Sequence, residues 1–140
     1  MQSALDSYAL RASADFSAAE VALRGIPNDD PQGVFLPTVL QALKEQRYFL
    51  SEIHHEGKVD GFTVYFFETF GTHRELVSVA TSAKTANKIR YVLEGLLINL
   101  AIQNNCQSLR MHTVRQGLVK EAILHGWHVA EIVLRKNLNA

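Results

Sequence analysis

The stretch ELVSVATSAKTANKIRYVLEGLLINLAIQNNCQSLRMHTV, Glu75 to Val114, decides the fold of this chain. Its middle reads as a helix. Ile89, Val92, Leu93, Leu96, Leu97, Leu100 and Ala101 recur at spacings of 3, 1, 3, 1, 3 and 1, which lays one apolar stripe along a 3.6-residue period. Asn104-Asn105 can end that helix, because Asn tolerates the left-handed conformation. Glu75 to Thr81 before it and Leu109 to Val114 after it read as strands. A strand, a helix and a strand in that order make one crossover, so the two strands can lie parallel.

Working back toward the N-terminus, the period is two. Tyr48, Leu50 and Ile53 open a β pattern, Glu56-Gly57-Lys58 is a turn, and Val59 to Glu68 is a long strand rich in Val, Thr, Tyr and Phe. Phe70-Gly71-Thr72-His73 turns the chain into Glu75 to Thr81, so three strands joined by short turns form an antiparallel meander. Leu36 to Glu45 reads as a helix with Val39, Leu40 and Leu43 on one face. Ile26 to Gly33 is loop chemistry, with Pro, Asn, Asp and Gly together. Ala18 to Arg24 reads as a helix capped by Asp15 or Ser17 and ended by Gly25 and Pro27, and Tyr8 to Arg11 is a short strand.

On the C-terminal side, Gln116 to His125 reads as a helix with Leu118, Val119, Ala122 and Ile123 on one face, closed by Gly126. Trp127 to Leu134 alternates as a last strand. The order is β-α-α-β-β-β-α-β-α-β. The fold class is α/β in the α+β sense: a mixed, mostly antiparallel sheet with helices on both faces. A length of 140 residues suits one domain over 1–140. Such a chain buries roughly two thirds of its unfolded surface and needs no metal or disulfide to hold a core.

Composition narrows the function classes. The chain is 47% hydrophobic and 20% charged, as expected of a globular domain. Cys106 is its one cysteine, which excludes an internal disulfide and fits a reducing compartment such as the cytoplasm. Met1 to Tyr8 lacks the pattern of a secretory signal, and no apolar run approaches a membrane span. Residues 1–70 hold 5 Lys/Arg against 10 Asp/Glu, and residues 71–140 hold 9 against 4. The basic half either attracts an anionic ligand or complements the acidic half within one fold. A net charge of zero argues against a general nucleic-acid binder. The six histidines lack the register of a metal site, Cys106 has no basic neighbour, and Ser78, Ser82 and Ser108 lack a nucleophile elbow. Tyr65-Phe66-Phe67 puts aromatics on both faces of one strand, to be covered by helices or by a partner such as a second copy.

Several phrases, in this order, resemble the GNAT superfamily of acyl-CoA-dependent N-acyltransferases. They are the turn Glu56-Gly57-Lys58-Val59-Asp60-Gly61-Phe62, the strand Glu75-Leu76-Val77-Ser78-Val79-Ala80-Thr81, the Leu-rich helix, Leu109 to Thr113, Ala122 to Trp127 ending in Gly126-Trp127, and Val129 to Lys136. The match spans nearly the whole chain. The chain's brevity also resembles small GNAT-like proteins of tailed phages, which would place it in a virion if it is a phage structural component.

The resemblance implies acetyl-CoA as acyl donor, lying where the fourth and fifth strands splay apart. It implies that the fourth-strand backbone at Val77, Val79 and Thr81 pairs with pantetheine. The loop into the next helix would wrap the pyrophosphate. Lys84 stands at the family's Arg/Gln position of that loop, Asn87 at its first Gly and Ile89 at its second. Asn can mimic Gly at positive φ, whereas Ile crowds a phosphate. Lys84, Lys88 and Arg90 could hold an anion by their side chains, or be solvated helix-surface residues. The family's frequent general acid, a Tyr, is Ala122 here. The frequent Asn after the fifth strand is absent from Thr113, Val114 and Arg115. The frequent general base matches Glu75 first and Glu68 second, and a strand-end surface carboxylate is the alternative for Glu75. Two functions follow. One is an N-acyltransferase that joins a CoA thioester to an amine. The other is a binding or structural module that kept the fold and lost the chemistry, such as a virion or assembly component.

Overall fold

The computed structural model describes residues 7–26, 33–85, 90–112 and 116–138. Its elements are β1 (Tyr8–Ala12), α1 (Phe16–Leu23), α2 (Phe35–Lys44), β2 (Phe49–His55), β3 (Lys58–Phe70), β4 (His73–Ala83), α3 (Arg90–Gln103), β5 (Ser108–Met111) and α4 (Gln116–Leu124). This is the expected order through its first nine members. Asp15 is the cap of α1, and its carboxylate accepts the Ala18 N–H. Glu56 at φ 53° and Gly57 at φ 79° make the β2–β3 hairpin turn, whose two left-handed residues match the twist of the strands. Asn105 at φ 60° ends α3, and the Cys106 N–H returns to the Ala101 carbonyl at 2.9 Å.

The five strands lie in the order β1-β2-β3-β4-β5. The first four are antiparallel, and β5 runs parallel to β4 through the α3 crossover. Neighbouring residues of β3 point to opposite faces, and each face has its own core. Val64 and Phe62 join Ala19, Leu23, Val39 and Leu43 of α1 and α2 on one side. Tyr65 joins Leu76 and Ala101 on the other, where α3 covers the sheet with Leu97 and Leu100 packed alongside. Helices therefore cover both faces, which accounts for the aromatics on both sides of β3.

Trp127 to Leu134 departs from expectation. The segment forms no strand, and the sheet of described residues has five members. Ile132 is 81% exposed and Leu134 89%. An alternating pattern becomes a strand only beside an edge that offers backbone partners, and β5 is four residues long. Side chains hold the segment instead: Trp127 Nε1 donates to Glu94 of α3, and His112 lies 3.7 Å from Glu131. The apolar face expected of α4 is likewise not buried. No helix among the described residues is long and apolar enough to cross a membrane.

One acid-sensitive contact ties β1's exit to β2. Glu52 accepts from the His54 ring at 2.8 Å and from the Ser13 hydroxyl at 2.9 Å, and these bonds hold its carboxyl below the usual range. A depressed folded-state pKa stabilises the fold above the unfolded value, and that contribution disappears as pH falls through the folded value. Glu52→Gln is therefore expected to flatten the fall of melting temperature below about pH 4. Parallel acid limbs for the variant and the parent would refute the assignment.

Candidate active site

The site grows out of a mismatch between two strand pairings. β5 pairs with β4 at four positions, from Glu75↔Ser108 to Ser78↔Met111. On its other side, β4 pairs with β3 at Tyr65↔Ser78 and then Val64↔Ala80, so Val79 is an extra residue on β4. A bulge bends the strand that carries it and sharpens its twist. This bulge falls one residue past the last β5 pair. From Val79 onward β4 continues for five residues to Ala83, about 16 Å of strand with no β5 pairing. β5 is thus paired along its whole length, and β4 runs on past its end.

Past the end of β5 lies part of a broad cleft of about 2020 Å³, which also runs along α2, α3, α4 and the segment after α4. Val79, Ala80 and Thr81 line it from β4, Arg110 and Met111 from β5, and Ala122 from α4. Thr81 Oγ1 is bonded to Thr63 Oγ1 at 2.8 Å, across the β3–β4 ladder.

A charged bridge lies where β4 and β5 pair. Glu68 and Glu75 face each other across the β3–β4 ladder, and Arg110 reaches both from β5. Its Nη2 lies 2.6 Å from Glu68 Oε2, and its Nη1 lies 3.0 Å from Glu75 Oε1. Ser108 Oγ donates to Glu75 Oε2 at 2.7 Å and contacts His73 Nε2 at 2.8 Å. Glu75 lines the cleft with Ser108 and Arg110. Its carboxylate is held at both oxygens yet keeps lone pairs, since an ionised carboxylate has about four acceptor sites.

The expected site residues thus divide. Glu68 and Glu75 come together. Val79 and Thr81 line the cleft, while Val77 is 1% exposed and lies within the paired part of β4, opposite Arg110. Lys84 is exposed just past β4, and its N–H donates to the Asp60 carbonyl at 3.0 Å. Arg90, the first residue of α3, is bound to Glu121 of α4, so its charge is matched within the chain. Asn87, Lys88 and Ile89 lie outside the described residues.

In the sequence Ser108 was weighed only as a nucleophile and Arg110 was given no role. The available signal was Arg110 itself, a cation in a short strand expected beside two strands that each carry a Glu.

No family model matches the sequence, and no curated protein matches it. Solved structures do match in shape. A transcriptional regulator from Bacillus halodurans C-125 aligns with 94% of this chain and 99% of its own at 12% identity, with a TM-score of 0.64. A possible acetyltransferase from Clostridium difficile 630 aligns with 95% and 99% at 13% identity and a TM-score of 0.63. AAC(6')-Iy, solved in complex with the bisubstrate analog CoA-S-monomethyl-acetylneamine, aligns with 95% and 99% at 12% identity and a TM-score of 0.57. With alignments that span both partners nearly end to end and a mostly antiparallel five-stranded sheet covered by helices, this chain has the fold of the GNAT N-acetyltransferases.

Proposed function

We propose that the protein transfers an acyl group from an acyl-CoA, acetyl-CoA first, to an amine. The observation that carries this reading is the Val79 bulge, one residue past the last β4–β5 pair and at the mouth of a large cleft. In this reading, main-chain N–H groups of β4 between Val79 and Thr81 that are not taken up by β3 pair with pantetheine and polarise the thioester carbonyl. A neighbour of the same fold is solved with a CoA-based bisubstrate analog, which supports acyl-CoA as the donor.

In this reading the amine nitrogen attacks the thioester carbon, the C–N bond forms, the C–S bond breaks, and CoA leaves as its thiolate. Holding amine and thioester together supplies much of the acceleration. Glu75 takes the proton released by the amine, with Glu68 as its alternate, and Arg110 and Ser108 hold Glu75 in place. Ala122 offers no proton, so the thiolate draws one from solvent. Lys84 is the described cation nearest the start of the loop that would meet the pyrophosphate; Asn87, Lys88 and Ile89 complete that proposed loop, and Arg90 joins it only by releasing Glu121.

A second reading, a GNAT-fold module without chemistry such as an assembly component, is favoured by the Arg90–Glu121 pair and by Ala122. One titration separates the two. CoA at 1 mM is expected to raise the melting temperature, because a ligand that binds only the folded state stabilises it. Glu75→Gln is then expected to lower acetyl transfer to a reactive amine by about 10²-fold or more while CoA still binds. An unchanged melting temperature in CoA would overturn the enzyme reading.

A further inference from the structure

Four side chains, from three strands and the chain just past β4, meet where β4 ends. Thr85 Oγ1 lies 2.8 Å from Asp60 Oδ1, 3.0 Å from Tyr8 Oη and 3.2 Å from His55 Nδ1. The Thr85 N–H also points at both Asp60 oxygens, at 3.1 Å each. Tyr8 belongs to β1, His55 ends β2, Asp60 lies in β3, and Thr85 is the second residue past β4. The rings of Tyr8 and His55 stack at 4.1 Å with 5° between their planes. Asp60 is only 8% exposed.

Proton counting gives this group a direction. Thr85 has one hydroxyl proton, and an ionised Asp60 can only accept. The Thr85 hydroxyl therefore donates to Asp60, and its two lone pairs receive the other two neighbours. Tyr8 donates its O–H, and His55 must carry its proton on Nδ1. The Lys84 N–H, one residue earlier, donates to the Asp60 carbonyl, so both residues that follow β4 are pinned to one position of β3.

We infer that Tyr8, His55, Asp60 and Thr85 form a directed hydrogen-bond junction that aims the chain leaving β4, and so positions Lys84, the cation that the acyl-CoA reading sets toward the phosphates. These are positioning residues. Lys84 and Thr85 follow β4, and anchoring them to three strands lets these two residues meet a ligand without first being ordered, which is how preorganisation raises affinity. The link to CoA rests on the acyl-CoA reading above; the junction itself does not. Near His55, the charged groups are Asp60, Glu56 at 3.8 Å from its Nε2, and the neighbouring turn residue Lys58.

Thr85→Val removes the hydroxyl at constant shape, and Thr85→Ser restores it. Nitrogen-15 NMR of neutral His55 is expected to show the proton on Nδ1 in the parent and in Thr85→Ser, and the usual preference for Nε2–H in Thr85→Val. The amides of residues 84 and 85 are expected to exchange faster in Thr85→Val alone. CoA binding is expected to weaken about tenfold in Thr85→Val, with pantetheine, which lacks the phosphates, unaffected. An Nε2–H tautomer in the parent, or identical amide exchange in all three proteins, overturns the junction. Equal loss of CoA and pantetheine overturns its role toward the phosphates. A parent that binds neither ligand overturns the acyl-CoA reading instead, and the NMR and exchange measurements still decide the junction.

Discussion

Replacing Gly61 with alanine is expected to lower the stability of the fold by about 3 kcal/mol, the upper part of the range for overpacking a tight interior. Gly61 is paired on both sides, with Ile53 of β2 and Ala83 of β4. A Cβ there would stand 1.9 Å from the Ser82 carbonyl oxygen, 2.6 Å from Ala83 Cα and 2.8 Å from the Ser82 carbonyl carbon. All three atoms are backbone, so no rotamer change relieves the overlap. The strands must move apart, and they do so beside Asp60, which holds Thr85. The urea midpoint of Gly61→Ala reads the cost directly. A midpoint equal to that of the parent would mean that β3 and β4 do not approach this closely.

Arg110→Ala is expected to cost about 2 kcal/mol, less than the figure for a fully buried pair because these side chains keep some solvent contact. The loss has two parts. The guanidinium is the one group that links Glu68, Glu75 and β5, and its removal leaves two carboxylates directly opposite each other on adjacent strands, a destabilising arrangement. Glu68→Gln placed on top of Arg110→Ala is therefore expected to recover part of the loss, with a coupling of about 1 kcal/mol in the double-mutant cycle. Strict additivity would show that the bridge does not act as a unit. Glu75→Gln sorts structure from chemistry at the same site. A base gives a large loss of acetyl transfer in a folded protein, whereas a purely structural carboxylate gives a loss of stability and little else.

Much of the fold was legible because period is a local property. The 3-1-3-1 spacing from Ile89 to Ala101 can serve only a helix, and the alternation from Val59 to Thr81 only strands, whatever else the chain does. Local turn chemistry was equally readable: Asp15 as a cap, Gly57 and Asn105 at positive φ. The same locality misled at Trp127 to Leu134, where alternation supplies a candidate strand and only a neighbouring edge can make it one.

The site was legible in its acids and not in its assembly. Glu68 and Glu75 could be named from their strands. That Arg110 would reach both depends on a parallel pairing 33 residues away in sequence, from Glu75 to Ser108, which no local window contains. The extra residue at Val79 is of the same kind. It exists only as a shift in the β3–β4 register, and it falls one residue past the last β5 pair. Tyr8, His55, Asp60 and Thr85 are ordinary residues in four separate segments, and closure of the sheet makes them neighbours. The sequence by itself determined which segments are helix or strand and in what order, because those follow from contacts within a few residues. Tertiary structure alone decided the cleft, the charged bridge and the junction, because each is set by how distant strands come into register.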